Sequence, residues 1–201
     1  MGVIQPSPPE LVEELARSSL LHLSRPASGK PSAALQRAER SAGVAEPVQV
    51  FYMGLRPMAG DASLAAAEAI AWRFFVLSGG RALAATEIAL NRRGGPPYWS
   101  RLSYDPRIQT QLSVIRRVRS DARYEQATYE LRFLRIPALD LSALLWLRAE
   151  TDGQDLVIPM GSIAFLRPGW PYSVQKLFSA VEDHARRRLA SSTAPPSRAE
   201  A

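Results

Sequence analysis

The stretch IAWRFFVLS-GG-RALAATEIAL at residues 70–90 constrains the fold more than any other part of the chain. Its first nine residues alternate in hydrophobicity with the period of a β-strand. The residues predicted to share one face of that strand are Ile70, Trp72, Phe74 and Val76. The two glycines that follow suit a two-residue hairpin turn, because such a turn needs positive φ angles. Residues 81–90 are then predicted to return as the antiparallel partner strand.

The rest of the chain supplies further strands and two amphipathic helices. The additional strands are predicted at 48–55, 98–104, 128–136, 141–149 and 155–160. One helix is expected to begin after Asp105, with apolar residues from Ile108 to Ala122 at helical spacing. Another is expected after Ser173, which is placed to cap it. The predicted fold class is therefore α+β, a largely antiparallel sheet of about six strands packed by two helices.

The order of these elements repeats. Strand, hairpin and helix at 48–122 are followed by strand, hairpin and helix at 128–190. This order is consistent with a duplicated β-β-β-α unit that forms a two-fold symmetric antiparallel sheet with helices on one side. The residues of the two halves match poorly, so the order of elements alone suggests the duplication.

Three segments are predicted along the chain. Residues 1–45 are expected to form an N-terminal helical arm and linker, because SPPE at 7–10 has the pattern of a capping box with Ser7 as the N-cap. Residues 46–190 are expected to form the α+β domain. Residues 191–201, SSTAPPSRAEA, have the composition of a disordered tail.

Composition limits both the chemistry and the compartment. The 201 residues include no cysteine, which excludes disulfides, thiolate catalysis and cysteine-ligated zinc. The N-terminal residues lack the pattern of a targeting signal, and no apolar run approaches the roughly 20 residues that span a bilayer. We therefore predict a cytoplasmic, bacterial protein that does not enter a membrane.

The net charge of +6 invites a polyanion as partner. Of the 25 basic residues 23 are arginine, and alanine and proline are also abundant. A GC-rich genome favours this combination of residues, so the arginine excess has a compositional explanation beside a functional one.

No pattern typical of an enzyme is present in the sequence. The two histidines, His22 and His184, lie far apart, whereas metal sites need several ligands at defined spacing. No serine lies in a G-x-S-x-G elbow, and SGGR at 78–81 has neither Walker nor Rossmann spacing. We predict no catalytic residue, no metal and no cofactor, with an unrecognised ligand pocket or enzyme site as one alternative.

Two arginine groups are candidates for binding an anion or an acidic partner. Arg116, Arg119 and Arg123 follow helical spacing along one flank of the helix after Asp105. The loop NRRGGPPYWSR at 91–101 combines its arginines with Tyr98 and Trp99, and such side chains hold phosphates and stack on bases. The loop arginines are Arg92, Arg93 and Arg101. Nucleic-acid binding is therefore an alternative function, although no helix-turn-helix, zinc-finger or RNP pattern is present.

The function ranked first is that of a non-catalytic accessory or structural protein that binds other proteins or copies of itself. Trp170 and Tyr172 flank Pro171 in a stiff connection and are the candidate protein contacts, since aromatic residues are enriched at binding hot spots. A core-capping role for Trp170 is the alternative. The arm at 1–45 is the second candidate contact element.

Overall fold

A nine-stranded mixed sheet runs through the protein in a computed structural model that describes residues 2–22, 42–55, 64–150, 154–161 and 166–193. The strands are β1 Gly2–Ile4, β2 Gly43–Tyr52, β3 Glu68–Ser78, β4 Arg81–Ala89, β5 Tyr98–Ser103, β6 Thr128–Ile136, β7 Leu141–Ala149, β8 Leu156–Pro159 and β9 Tyr172–Ser173. The α-helices of the described part are α1 Glu10–Ser18, α2 Arg107–Arg119 and α3 Val174–Thr193.

The strand order is β5-β4-β3-β2-β6-β7-β8-β9, so the chain runs outward in both directions from the central pair β2 and β6. This central pair is parallel, whereas the other neighbours in that order are antiparallel. Strand β1 also pairs in parallel with β6, at Thr128–Glu130. The prediction of a largely antiparallel α+β fold is confirmed, but the strands number nine and not about six.

The strands that the sequence did not indicate are β1 and β9. They contain three and two residues, which is too short for a hydrophobic period to be recognised. Both pair onto longer strands that the sequence did predict, since β1 adds to β6 and β9 to β8. The higher strand count therefore comes from short segments whose structure depends on their tertiary partner.

The hairpin between β3 and β4 has the predicted turn. Gly79 and Gly80 have φ angles of 55° and 79°, and Ser78 lies opposite Arg81. A side chain at either glycine would be strained by the positive φ alone, because open space surrounds both Cα atoms. The two glycines thus fix where β3 ends and β4 begins.

Helices cover both faces of the sheet. Ile108, Leu112 and Ile115 of α2 pack with Phe133 of β6 in one core. The adjacent Leu134 points to the other face, where it packs in a core with residues of α3. Helix α1 lies on the same face as α3, but over β3, β4 and β5. Helices α2 and α3 are the two that were predicted to pack on the sheet, and α1 of the N-terminal segment packs there as well. The expectation of helices on one side is wrong for the described residues.

Helix α1 begins later than its sequence pattern indicated. Its first residue is Glu10, its N-cap is Pro9, and no side chain makes the capping hydrogen bond. Ser7 is therefore not the N-cap. The reason is local, since Pro9 sterically disfavours the helical region for the residue before it and so keeps Pro8 out of the helix.

The side chains predicted to cap α2 and α3 both accept a hydrogen bond from the start of their helix, although the residue directly before α2 is Pro106 and not Asp105. Asp105 Oδ1 accepts a hydrogen bond of 2.8 Å from the Arg107 backbone N–H, and Ser173 Oγ accepts one of 3.3 Å from that of Lys176. These side chains satisfy donors that the first helical turn leaves unpaired. Within the described part of the chain, none of the helices combines the length and apolar character that crossing a bilayer requires.

Candidate functional site

Two charged residues lie in the middle of apolar strands. Arg73 of β3 and Glu87 of β4 are directly opposite in the antiparallel ladder. They are only 4% and 3% exposed, although arginine and glutamate are rarely buried unless they are paired. Arg73 Nη1 donates a hydrogen bond of 2.5 Å to Glu87 Oε1, so the two charges form a buried ion pair.

The Glu87 carboxylate accepts hydrogen bonds from two further arginines. Arg101 of β5, the cross-strand neighbour of Glu87, donates from Nε to Oε2 at 2.9 Å. Arg135 of β6 donates from Nη1 to Oε2 at 2.9 Å and from Nη2 to Oε1. One carboxylate thus holds three guanidinium groups that come from three different strands.

The arginines determine the charge state of the carboxyl. Burial alone raises the pKa of Glu87, but hydrogen bonds and charge from Arg135, with the charges of Arg73 and Arg101, outweigh burial and lower that pKa to about 2. Burial likewise lowers the pKa of Arg73, and this effect is opposed by the charge and hydrogen bond of Glu87. Glu87 is therefore ionised at neutral pH.

Arg73 is held in position from both sides. Its Nη2 donates a hydrogen bond of 3.1 Å to the side-chain oxygen of Gln111 on α2. Its guanidinium carbon lies 5.4 Å from the ring centroid of Phe133 and 5.8 Å from that of Phe75. Its Nε is buried and has no hydrogen-bond partner. A buried donor without a partner lowers the stability of the fold, so a hydrogen bond from this atom to an acceptor would be especially favourable.

A pocket of about 200 Å³ opens beside these residues, and we call it the arginine pocket. It is lined by Arg73, Arg101, Ser103, Asp105, Arg107, Gln111, Phe133 and Arg135. Asp105 is bound by Arg107 at 2.6 Å, and hydrogen bonds from Arg107 lower the pKa of Asp105. Counting Glu87, the four arginines and two carboxylates give a net charge of +2. Fixed guanidinium donors around a small cavity are suited to an oxyanion.

The arginines predicted on the flank of α2 are paired with carboxylates. Arg116 Nε and Arg119 Nη1 lie 3.3 Å and 2.5 Å from the Glu46 carboxylate of β2. Arg123 lies beyond the end of α2, where its Nη2 is 2.6 Å from Asp121. Hydrogen bonds from Arg123 lower the pKa of Asp121 to about 2. These carboxylates reduce the positive potential of the flank.

The predicted loop arginines lie at one end of the edge strand β5. Arg92 Nη2 is 3.3 Å from Glu68, and the Arg92 guanidinium lies 5.8 Å from the Tyr52 ring centroid. Arg93 is exposed, and its backbone N–H donates to Asn91. Arg101 belongs to the arginine pocket. The structure thus separates Arg101 from the other two loop arginines.

The two predicted aromatic contacts have different surroundings. Trp170 is half exposed, and the guanidinium carbons of Arg167 and Arg123 lie 5.6 Å and 5.9 Å from its ring centroid. Tyr172 is partly buried in the core under α3, and its hydroxyl accepts a hydrogen bond of 2.8 Å from the Arg167 backbone N–H. Trp170 presents more of its surface to solvent than Tyr172 does.

The opposite face of the sheet carries a second pocket, of about 520 Å³. Its Arg132 packs against the rings of Phe51 and Trp146, with the guanidinium carbon 4.5 Å and 4.8 Å from their centroids, and donates two hydrogen bonds of 2.9 Å to Glu130. Trp146 Nε1 donates to Asp155 at 2.9 Å. These polar groups already satisfy one another. Among the residues that the structure describes, no three His, Asp or Glu side chains are placed to hold a metal ion.

Sequence reasoning named only Arg101 of the arginine pocket as a site residue. The charged residues that it missed include Arg73 and Arg135 of the pocket and Glu87 beside it. A signal was present for Arg73 and Glu87. Each is the single charge inside an otherwise apolar strand segment, WRFFV for Arg73 and AATEIAL for Glu87. Opposite charges on the two arms of one hairpin make the two residues candidates for a cross-strand pair, although a regular register would not place them opposite each other. Arg135 gives no such signal, because TYELRFLRI contains further charges.

Comparison with known proteins gives no relative. No protein-family model, no curated protein and no solved structure matches this chain. The candidate site therefore rests on its own geometry.

Proposed function

We propose that this protein is a non-catalytic accessory protein of the cytoplasm that binds a protein partner, or a second copy of itself, along the edge strand β5. The observation that carries the proposal is the outer edge of β5. This six-residue strand pairs with β4 on one side and ends the strand order of the described sheet. The outer edge of a terminal strand offers backbone N–H and C=O groups to another extended chain.

The side chains of this edge favour a protein ligand. Tyr98 is 56% exposed at the start of the strand, and the neighbouring Trp99 also reaches the surface. Aromatic side chains supply large contact areas and are enriched at binding hot spots. Edges that avoid pairing are often very short or carry lysine or proline, and six-residue β5 has neither residue, but it does contain the charged Arg101 and a bulge opposite Glu87 and Ile88. The opposite edge of the sheet is the two-residue β9.

The charge beside the edge indicates the chemistry of the partner. Arg92 and Arg93 precede β5, Arg101 lies within it, and Arg107 follows it. Arg101 and Arg107 have more than half of their side-chain surface exposed. An extended segment with carboxylates would add a strand to β5 and meet these cations. The proposed partner is therefore an acidic segment of another protein or of a second copy.

The test begins with random peptides displayed on phage and selected on the immobilised full-length chain. Recovered peptides are then titrated as synthetic peptides against the unmodified chain, Tyr98→Glu and Trp170→Glu. Both aromatic residues are about half exposed, so the two variants are matched for surface change. Sedimentation velocity on the same three proteins measures self-association. Thermal unfolding of each variant confirms that it is folded.

We expect acidic peptides whose affinity falls about tenfold or more in Tyr98→Glu and is unchanged in Trp170→Glu. Self-association that is lost only in Tyr98→Glu would equally support the edge as the contact surface. Binding that is lost only in Trp170→Glu would overturn the role of β5. A monomer that selects no peptide would overturn protein binding as the function.

We also propose that the fold arose from two copies of one unit, β2–β5 with α2 and β6–β9 with α3. Two observations support this. The strand order runs outward from the parallel pair β2 and β6, and α2 and α3 lie on opposite faces. A two-fold axis parallel to the strands produces both features. Superposition of the two units in a crystal structure tests the idea, and failure of their Cα traces to superpose would contradict it.

A further inference from the structure

We infer that the arginine pocket binds a phosphate group, either as inorganic phosphate or as the monoester of a small molecule. This site shares Arg101 and Arg107 with the charged surface beside β5, but its buried donors Arg73 and Arg135 lie on β3 and β6, so the inference does not depend on the proposed protein partner. Its donors come from β3, β5, β6 and α2, which are all anchored in the sheet or packed on it.

The first argument is charge. The arginine pocket and Glu87 together carry a net charge of +2. The buried and partly buried groups Arg73, Arg135, Glu87 and Asp105 balance one another, so the excess charge lies on Arg101 and Arg107 at the exposed rim. Like charges placed close together repel one another, which favours an anion between them. Glu87 compensates only one of the three guanidinium groups that it contacts. A phosphate monoester carries about −1.5 to −2 at pH 7, which matches the remaining charge.

The second argument is the unpaired donor. Arg73 is nine-tenths buried, lines the pocket, and has an Nε without an acceptor. Buried donors are nearly always paired in folded proteins, and an unpaired one costs free energy. The Nε is covered in this structure. A ligand oxygen therefore reaches this atom only after the side chains that cover it rearrange.

The third argument is the shape and lining of the site. A volume of about 200 Å³ corresponds to roughly six or seven water molecules, which is enough for a phosphate group with a small substituent. Ser103 adds a hydroxyl donor, and Phe133 adds an apolar wall. The N-terminus of α2 begins at Arg107 beside the pocket, and its partial positive charge also favours an anion.

The test is isothermal titration calorimetry of the full chain with inorganic phosphate, phenyl phosphate and acetate at constant ionic strength. Arg101→Gln removes one pocket cation, and Arg92→Gln is the matched control. The two arginine side chains are 53% and 58% exposed, and each contacts one carboxylate. The substitutions therefore change the net charge equally, but only Arg101 lines the pocket. The Arg73 Nε–H resonance in ¹H–¹⁵N spectra reports binding at the site itself.

We expect phosphate to bind, to shift the Arg73 Nε–H resonance, and to lose affinity about tenfold or more in Arg101→Gln but not in Arg92→Gln. Tighter binding of phenyl phosphate would identify a monoester as the ligand, and equal binding would identify inorganic phosphate. Acetate binding as tightly as phosphate would contradict the charge match. Absence of binding at millimolar phosphate, or equal weakening in both variants, would overturn the inference.

Discussion

Arg73 and Glu87 lie opposite each other on β3 and β4 and form an ion pair of 2.5 Å that is almost fully removed from water. Desolvating two such charges costs several kcal/mol each, and their attraction offsets this cost only with good geometry and further hydrogen bonds. Arg101, Arg135 and Gln111 supply those hydrogen bonds. Removing one partner of the cluster should therefore lower the free energy of unfolding by more than the net contribution of the intact cluster to stability.

Replacing Glu87 alone is the most damaging change that we predict. Glu87→Leu leaves three arginines around one apolar side chain, and we expect it to lower the free energy of unfolding by about 3–5 kcal/mol. Arg73→Met combined with Glu87→Leu should recover part of that loss, because it removes the most deeply buried cation but leaves Arg135, whose side chain is 12% exposed, without its carboxylate. Urea unfolding followed by circular dichroism measures both variants.

The exposed pair Arg17–Glu13 on α1 is the control for this comparison. Its side chains are 63% and 41% exposed, so Arg17→Ala should change the unfolding free energy by no more than about 0.5 kcal/mol. If Glu87→Leu lowers the free energy of unfolding by no more than Arg17→Ala does, the buried carboxylate is not needed to balance the arginines of the cluster.

Acid stability should depend on the same carboxylate. The pKa of Glu87 is lowered to about 2 in the folded protein, so its ionised form is the form stabilised by folding. That stabilisation is complete above the ordinary glutamate pKa of about 4.3 and is lost as the pH falls from there through about 2.

The double variant Arg73→Met with Glu87→Leu cannot lose this contribution. We expect its unfolding free energy to fall less between pH 5 and pH 2 than that of the unmodified chain, by roughly 3 kcal/mol. Urea unfolding at a series of pH values gives the difference. Parallel pH profiles for the two proteins would show that Glu87 is not the group responsible.

The pairing that forms this cluster explains why the sequence did not reveal it. A regular hairpin around Gly79 and Gly80 would place Arg73 opposite Thr86. The ladder instead pairs Leu77 with Ala82 and Val76 with Ala84, which leaves Leu83 as an extra residue. This β-bulge shifts the register by one and moves Glu87 to the face that Arg73 occupies. Hydrophobic periodicity contains no information about such a bulge.

Other elements were predictable because their own residues determine them. The predicted and observed bounds agree for β6 at 128–136 and β7 at 141–149. In β7, Leu144 and Trp146 pack on one face while Leu145 and Leu147 pack on the other, as expected for a strand covered on both sides. The parallel pairing of β2 with β6 joins strands that are far apart in sequence. Local sequence patterns therefore predict where the strands lie along the chain but not which strands pair with each other.

The hairpin turn between β3 and β4 allows a test of backbone conformation that is independent of side-chain contacts. No atom lies within 4 Å of a Cβ added at Gly79 or Gly80, but both residues have positive φ. Alanine at either position should therefore lower the unfolding free energy by about 1 kcal/mol or more, from strain alone.

Gly54 is the matched control for the turn glycines. It also has open space around its Cα, and its φ lies outside the left-handed region. Gly54→Ala should leave stability unchanged or raise it by up to about 1 kcal/mol, because it restricts the unfolded chain. Urea unfolding of the three single variants measures these effects. Equal losses at all three positions would show that the positive φ angles are not the cause.

Nucleic-acid binding should be weak in the unmodified protein because carboxylates hold the arginine flank of α2. Glu46 contacts Arg116 and Arg119, and Asp121 contacts Arg123. At physiological salt we expect dissociation constants of about 10⁻⁴ M or weaker for single- and double-stranded probes in fluorescence anisotropy. Arg186 and Arg187 of α3 are on the opposite side of the sheet and pair or hydrogen-bond within their own helix.

Glu46→Gln combined with Asp121→Asn should strengthen this binding and make it more sensitive to salt. Releasing three arginines adds up to about 2–3 to the slope of log affinity against log salt, because each phosphate contact releases counterions. The opposite finding would be micromolar binding by the unmodified chain that falls steeply with salt and disappears when Arg116, Arg119 and Arg123 become glutamine. That result would make nucleic acid, and not an acidic protein segment, the partner of this basic surface.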